Sequence, residues 1–173
     1  MSKGCALIIG AGDATGAAIA RAFAAEGLVA CVNRRPRHAE ALEELAGSIR
    51  ADGYLACAFP GDARDELALG AIVDKVEGTI GPIDVAVFNI GANVRFDVID
   101  TSAQVYRKVW EMACFAGFLM GREVASRMLE RKRGTIIFTG ATASTRGGAG
   151  FSAFSGAKAG LRMLAQSMAR ELG

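Results

Sequence analysis

Cys5-Ala6-Leu7-Ile8-Ile9-Gly10-Ala11-Gly12-Asp13-Ala14-Thr15-Gly16 decides the fold: an unbroken apolar run enters a glycine-rich turn, and an alanine-rich helical pattern follows. Such a run, without alternating polar residues, reads as a strand covered on both faces, as in parallel sheets flanked by helices. A glycine-rich turn between that strand and a helix lets backbone approach a pyrophosphate, and the helix N-terminus directs amides and a positive dipole end at the charge. The spacing is irregular, because Thr15 breaks G-x-G-x-x-G and Ala14 breaks G-x-x-x-G-x-G, so a plain small-residue turn is the alternative. The turn's place after the first strand favours a dinucleotide held by Gly10, Gly12, Asp13, Ala14, Thr15 and Gly16.

Outward from this stretch, short apolar runs alternate with longer amphipathic ones. Strands are expected over residues 5–9, 29–33, 55–59, 85–89 and 135–139, and helices over 15–26, 37–51, 65–77, 103–131 and 154–172. That alternation is the mark of βα units, so the fold class is α/β: an open, doubly wound parallel sheet, Rossmann-like, with helices on both faces. Ligands of such sheets bind beyond the carboxyl ends of the strands. One domain over residues 1–173 is expected, and only 145–151 reads as a loop of any length. The last helical pattern reaches Gly173 with no strand after it, which leaves an uncovered sheet edge and suggests a C-terminally incomplete domain.

Of the 173 residues, 51% are hydrophobic and 22% charged, enough to bury a sizeable core. The formal net charge of +2 comes without a basic run, which argues against nucleic acid and membrane as partners and for a small molecule. Cys5, Cys31, Cys57 and Cys114 are widely spaced and read as free thiols of a reducing compartment, so a cytoplasmic location is expected. The one histidine, His38, has no cysteine or acidic cluster around it, and no metal site is expected.

The second strand ends in Asn33-Arg34-Arg35, roughly 20 residues past the glycines, where an acidic residue would hold the adenosine ribose of NAD. No carboxylate stands there. Arg34 suits the 2′-phosphate of NADP, with charge-assisted hydrogen bonds worth about 1.5 to 3 kcal/mol, so NADP is favoured over NAD with Asn33 and Arg34 on the cofactor. Asp13 in the phosphate turn opposes this wherever it faces that phosphate.

With these motifs in place, the chain resembles the short-chain dehydrogenase/reductase family along its whole length. The turn at 10–16 resembles that family's T-G-x-x-x-G-x-G, Asp62 occupies the place of the acidic residue that holds the adenine, and Phe88-Asn89-Ile90-Gly91 stands where N-N-A-G would be, with Asn89 and Gly91 matching. The segment Phe151-Ser152-Ala153-Phe154-Ser155-Gly156-Ala157-Lys158 resembles the Tyr-x-x-x-Lys helix with phenylalanine in place of tyrosine. Carried over residue by residue, the quartet Asn, Ser, Tyr and Lys becomes Ala113, Ala141, Phe154 and Lys158. Some enoyl reductases of the family set their tyrosine seven positions before the lysine; that position is Phe151 here.

The resemblance implies a lysine that holds the nicotinamide ribose without the tyrosine that moves the substrate proton. A positioned acid contributes about 10² to 10⁴ in rate, so reduction of carbonyls by the usual route is not expected. Ser152, Ser155, Thr139, Thr142 and Ser144 are candidate substitute donors. Phe151 and Phe154 either line an apolar pocket over the nicotinamide or pack in the core. Two readings stand: an NADP(H)-dependent oxidoreductase with a degenerate tetrad, working on a substrate that needs little protonation such as an activated C=C bond, or a nucleotide-binding regulatory protein without catalysis. Trp110, Met112, Phe115, Phe118, Leu119 and Met120 give the long helix more than one apolar stripe, which supports a homo-oligomer, a dimer or tetramer.

Overall fold

Every residue of β1 (Cys5–Ile9) is buried, because the strand lies at the middle of the sheet with helices on both faces. The computed structural model describes residues 4–173, so the first three residues of the expected domain lie outside it. With β2 (Val29–Asn33), β3 (Ala56–Ala58), β4 (Ile83–Phe88) and β5 (Thr135–Phe138), β1 forms a parallel sheet in the order β3-β2-β1-β4-β5. The chain therefore moves outward from β1 to β3, then returns to pair β4 with the other side of β1. This reversal opens a crevice at the carboxyl ends of β1 and β4.

Alternate residues of the continuous apolar strands feed two different layers. Cys5, Leu7 and Ile9 point into a core that includes Leu69, Val73 and Val76 of α3 (Glu66–Thr79), Leu119, Met120 and Val124 of α5 (Ala116–Arg131), and Leu161 of α6 (Ser152–Leu172). Ala6 and Ile8 point the other way, into a layer with Ala20 and Ala24 of α1 (Thr15–Ala25) and Leu42, Ala46 and Ile49 of α2 (Ala39–Ala51). Alanine meets alanine on this second face, so α1 lies close to the sheet; on the first face larger side chains fill a deeper layer. Leu7, Ile8 and Ile9 are fully buried, each worth about 1.5–3 kcal/mol relative to exposure.

Local chemistry sets several helix starts. The Asp65 carboxylate accepts from the Ala68 amide at 3.0 Å and starts α3, and Ser102 does the same for the Val105 amide at 3.2 Å at the start of α4 (Ala103–Trp110). Lys132, with φ at 52°, ends α5 in the left-handed region.

The structure departs from the sequence expectations in several places. The helix expected over 103–131 is interrupted by a π-helical segment, Glu111–Phe115, between α4 and α5. The strand expected over 55–59 is only Ala56–Ala58, and Arg37 belongs to a 3-10 turn, Pro36–His38, ahead of α2. Residues 89–102, between β4 and α4, carry no regular structure, although 145–151 alone read as a loop; the apolar Val94, Phe96, Val98 and Ile99 hide this segment's lack of periodicity. Finally, α6 begins at Ser152, which places Phe154 inside the first turn. Among the described residues no helix is long and apolar enough to cross a membrane.

Candidate functional site

The turn after β1 is packed as tightly as a turn into a helix can be. A Cβ added at Gly16 would sit 2.5 Å from the Gly10 carbonyl oxygen and 2.7 Å from the Ala11 Cα, so only glycine lets α1 start against its own turn. Gly10 has φ at 89°, a conformation that L side chains rarely adopt. Gly12 is different: nothing lies within 4 Å of the position its Cβ would take, so this glycine faces open space. Ala14 caps α1 without a side-chain hydrogen bond, and Thr15 is exposed at the first helical position. Helix amides and an open glycine face thus meet at one point, which is the chemistry an anionic phosphate needs.

Gly10, Gly12, Asn33, Arg34, Asp62, Asn89 and Gly91 line one cleft of about 240 Å³ at the carboxyl ends of the strands. Two of these residues act as internal braces. The buried Asn33 side chain donates to the carbonyls of Phe59 at 2.8 Å and Gly61 at 3.2 Å, while its own carbonyl accepts from the Gly10 and Ala11 amides. The Asn89 side chain donates to the Gly10 carbonyl at 3.2 Å. These bonds fix the loops after β2, β3 and β4 against the turn.

Charge on the cleft wall is mostly positive. Arg34 and Asp13 form an ion pair at 2.8 Å, with Arg34 largely buried and Asp13 83% exposed, so Asp13 partners the arginine from the solvent side. Asp62 is gripped by Arg64 through Nε and Nη2 at 2.9 and 2.5 Å, and this pairing lowers the carboxyl pKa and raises that of the guanidinium. Burial, then Arg37 and Arg64, lower the pKa of Arg35; lost hydration, then Arg34, Arg37 and Arg35, lower that of His38. Arg35, His38 and Arg64 join the same cleft, and none was singled out as a cofactor residue in the sequence. The available signal was the second arginine of Asn33-Arg34-Arg35 and the Asp-x-Arg spacing of Asp62 and Arg64.

Behind the cleft-lining Ile90, Lys158 is 2% exposed, and its ammonium donates to the carbonyls of Ile90 and Thr139, each at 2.9 Å. Burial pushes its pKa down to about 8. One turn earlier on α6, Phe154 is buried in an apolar cluster with Val109, Ala113, Cys114, Ala153 and Ala157, against which Ala92, Val94, Ala141 and Ala143 pack. Ala113, Ala141 and Phe154, far apart in the sequence, are thus parts of one apolar wall beside Lys158. Phe154 takes the core alternative; Phe151 is half-buried, with the Arg95 guanidinium 6.0 Å from its ring centre. Ala113 lies within the π-helical segment, a feature that recurs at functional sites.

The family model described as short chain dehydrogenase matches residues 4–173. The chain belongs to the short-chain dehydrogenase family. The chain is 35% identical over 175 residues to a short-chain dehydrogenase/reductase of Hericium erinaceus, covering 99% of this chain and 69% of that protein. A solved short-chain dehydrogenase from Rhodopseudomonas palustris is 50% identical, with a TM-score of 0.92 over 98% of this chain and 78% of the other. A variant of actinorhodin polyketide ketoreductase, solved with NADPH, is 28% identical, with a TM-score of 0.93 over 99% of this chain and 65% of the other. The chain spans 54% to 70% of the length of curated relatives it matches. The doubly wound parallel fold expected from the sequence is the fold of these relatives.

Proposed function

We propose that this chain forms an NADP(H)-binding oxidoreductase domain that does not transfer a substrate proton by the family's tyrosine route. The observation that carries this reading is the contrast between the two halves of the crevice. On the nucleotide half, the open face at Gly12, the uncapped start of α1 and the arginine-rich wall fit a dinucleotide phosphate. On the other half, Phe154, Ala113 and Ala141 make one apolar wall, and Lys158 is the ammonium beside it.

In this reading Gly10, Gly12, Asp13, Ala14, Thr15 and Gly16 surround the pyrophosphate, Asn33 and Arg34 stand at the adenosine ribose, Asp62 at the adenine, Asn89 and Gly91 along the cleft, and Lys158 at the nicotinamide ribose. The bound cofactor supplies the hydride. The protein orients it, and the Phe154 cluster offers no hydroxyl from the quartet positions. Arg34 supports NADP over NAD, and Asp13 opposes it by competing for the same guanidinium. A small-molecule substrate, a cytoplasmic location with four free thiols, and a homo-oligomer complete the proposal.

A catalytically silent, nucleotide-binding protein is the second reading, favoured by the loss of all three polar groups from one cluster. Fluorescence titration with NADPH and NADH, followed by assays on ketones, aldehydes and enones, separates the two. The oxidoreductase reading expects NADPH to bind more tightly, with turnover of enones and negligible reduction of ketones. Inactivity of NADPH-bound wild type, with carbonyl reduction gained by Phe154→Tyr combined with Ala141→Ser, establishes the silent reading. Failure to bind either nucleotide overturns both. Asp13→Asn is expected to tighten NADPH by up to about 5-fold, and NADH by less, since it frees Arg34 from an exposed pair.

A further inference from the structure

The wall formed by Ala113, Ala141 and Phe154 offers no hydroxyl from the expected positions, but a nearby hydroxyl is folded back onto one of them. After β5 the chain makes a 3-10 turn, Thr142–Ser144. This turn returns Ser144 to Ala141: the Ser144 amide donates to the Ala141 carbonyl at 2.8 Å, and Ser144 Oγ accepts from the Ala141 amide at 3.0 Å. Ser144 Oγ also lies 3.4 Å from the position a Cβ on Gly140 would take. The side chain is 8% exposed, and Ala141 just before the turn and Ala143 within it pack against the cluster that contains Phe154.

The other hydroxyls near α6 are placed differently. Thr139 Oγ1 is 3.1 Å from the Phe88 carbonyl and donates to it, Thr142 is exposed, and Ser152 lines a groove with Tyr106 and Trp110 on the α4 side. Ser155 follows Phe154 by one residue, about 100° around the helix from it. Ser152 and Ser155 Oγ are buried without a hydrogen-bond partner among the described residues, but among these hydroxyls only that of Ser144 is hydrogen-bonded to position 141. A hydroxyl that accepts one hydrogen bond becomes a better donor for the next.

We propose that Ser144 supplies the substrate-orienting hydrogen bond that position 141 has lost, so that the reacting end of the substrate carries a carbonyl oxygen, as in an enone. The proposal rests on the oxidoreductase reading and adds to it a positioning residue and the polar feature that residue recognises. Ser144 fixes an oxygen; it moves no proton.

The test uses Phe154→Tyr as a background, with NADPH and ethyl acetoacetate as probes. Phe154→Tyr by itself is expected to reduce the ketone, because the orienting hydroxyl is already present. Adding Ser144→Ala lowers kcat/KM at least 10-fold with the NADPH dissociation constant unchanged, and adding Ala141→Ser to that pair returns the rate to within a few-fold. Restoration from position 141 is a readout that a merely structural role for Ser144 would not give. The proposal is overturned where Ser144→Ala leaves the Phe154→Tyr rate intact, where the lost rate is not restored by Ala141→Ser, or where Phe154→Tyr is inactive while Phe154→Tyr with Ala141→Ser is active. Inactivity of every variant with NADPH bound overturns it too. Wild type that binds no NADPH overturns the underlying oxidoreductase reading instead, and this proposal with it.

Discussion

Lys158 is an ammonium stored under helix α6, with two backbone carbonyls as its hydrogen-bond partners and a pKa held near 8 by lost hydration. Its folded pKa lies below its ordinary value of 10.5, so between pH 8 and 10.5 the unfolded chain keeps a proton that the folded chain has released. The slope of stability with pH is positive in that window, and the burial penalty is present in full below pH 8. Urea denaturation from pH 7.5 to 10.5 should therefore show wild type gaining stability relative to Lys158→Met as pH rises. A difference that stays flat across the window refutes the desolvated ammonium. Phe154 and Lys158 stood out only through the resemblance to the family's Tyr-x-x-x-Lys helix. Asn33 was less legible: a strand-end asparagine reads as a cofactor ligand, and its brace to the Phe59 and Gly61 carbonyls exists only once β3 lies beside β2. The Arg34–Asp13 pair likewise joins residues whose separation gives no local signal.

At the scale of elements, the turn between β1 and α1 separates two jobs that glycine performs there. Gly16 is required by packing, whereas Gly12 faces open space, where the proposed phosphate would approach. Gly16→Ala places a methyl group against backbone that cannot retreat and is expected to lower the melting temperature by several degrees, since mutations of this kind cost a few kcal/mol. Gly12→Ala should leave the melting temperature nearly unchanged while weakening NADPH at least 10-fold. Calorimetry and nucleotide titration on the two variants check the split, and equal thermal losses would contradict it. Element type and order were readable because β1 is apolar throughout, β2 and β4 carry the apolar runs Val29–Val32 and Val85–Phe88, and the helices between them are periodic. The π-helical interruption at Glu111–Phe115 was not, because inserting a residue into a helix apolar on several sides leaves the pattern looking continuous. The segment 89–102 was missed for the related reason that its apolar residues look like part of an element while Val98 and Ile99 are 71% and 89% exposed.

Across the whole molecule, the helices that carry the apolar wall also present aromatic surface outward. Trp110 stacks on Phe115 with ring centres 5.5 Å apart, Phe115 on Phe118 at 6.1 Å, and Arg122 lies over Phe118 while pairing with Glu66. Trp110, Phe118 and Met163 remain 42%, 38% and 50% exposed. If this surface joins copies of the chain, Phe118→Glu should shift light-scattering mass toward the monomer without changing the circular dichroism spectrum; a mass unaffected by the substitution argues against this face. The inequality of the two sheet faces has an evolutionary side as well. Where α1 rests on Ala6 and Ala30, any enlargement pushes a helix off the sheet, so inherited variation there should be confined to a very small alphabet. Opposite, beneath α3 and α5, leucine, isoleucine, methionine and valine can exchange volume among neighbours. The nucleotide end of the crevice is anchored to the intolerant face through α1, and the substrate end to the permissive face through α5 and α6. On the proposed reading, descendants of this chain can thus drift at the substrate end much faster than at the nucleotide end.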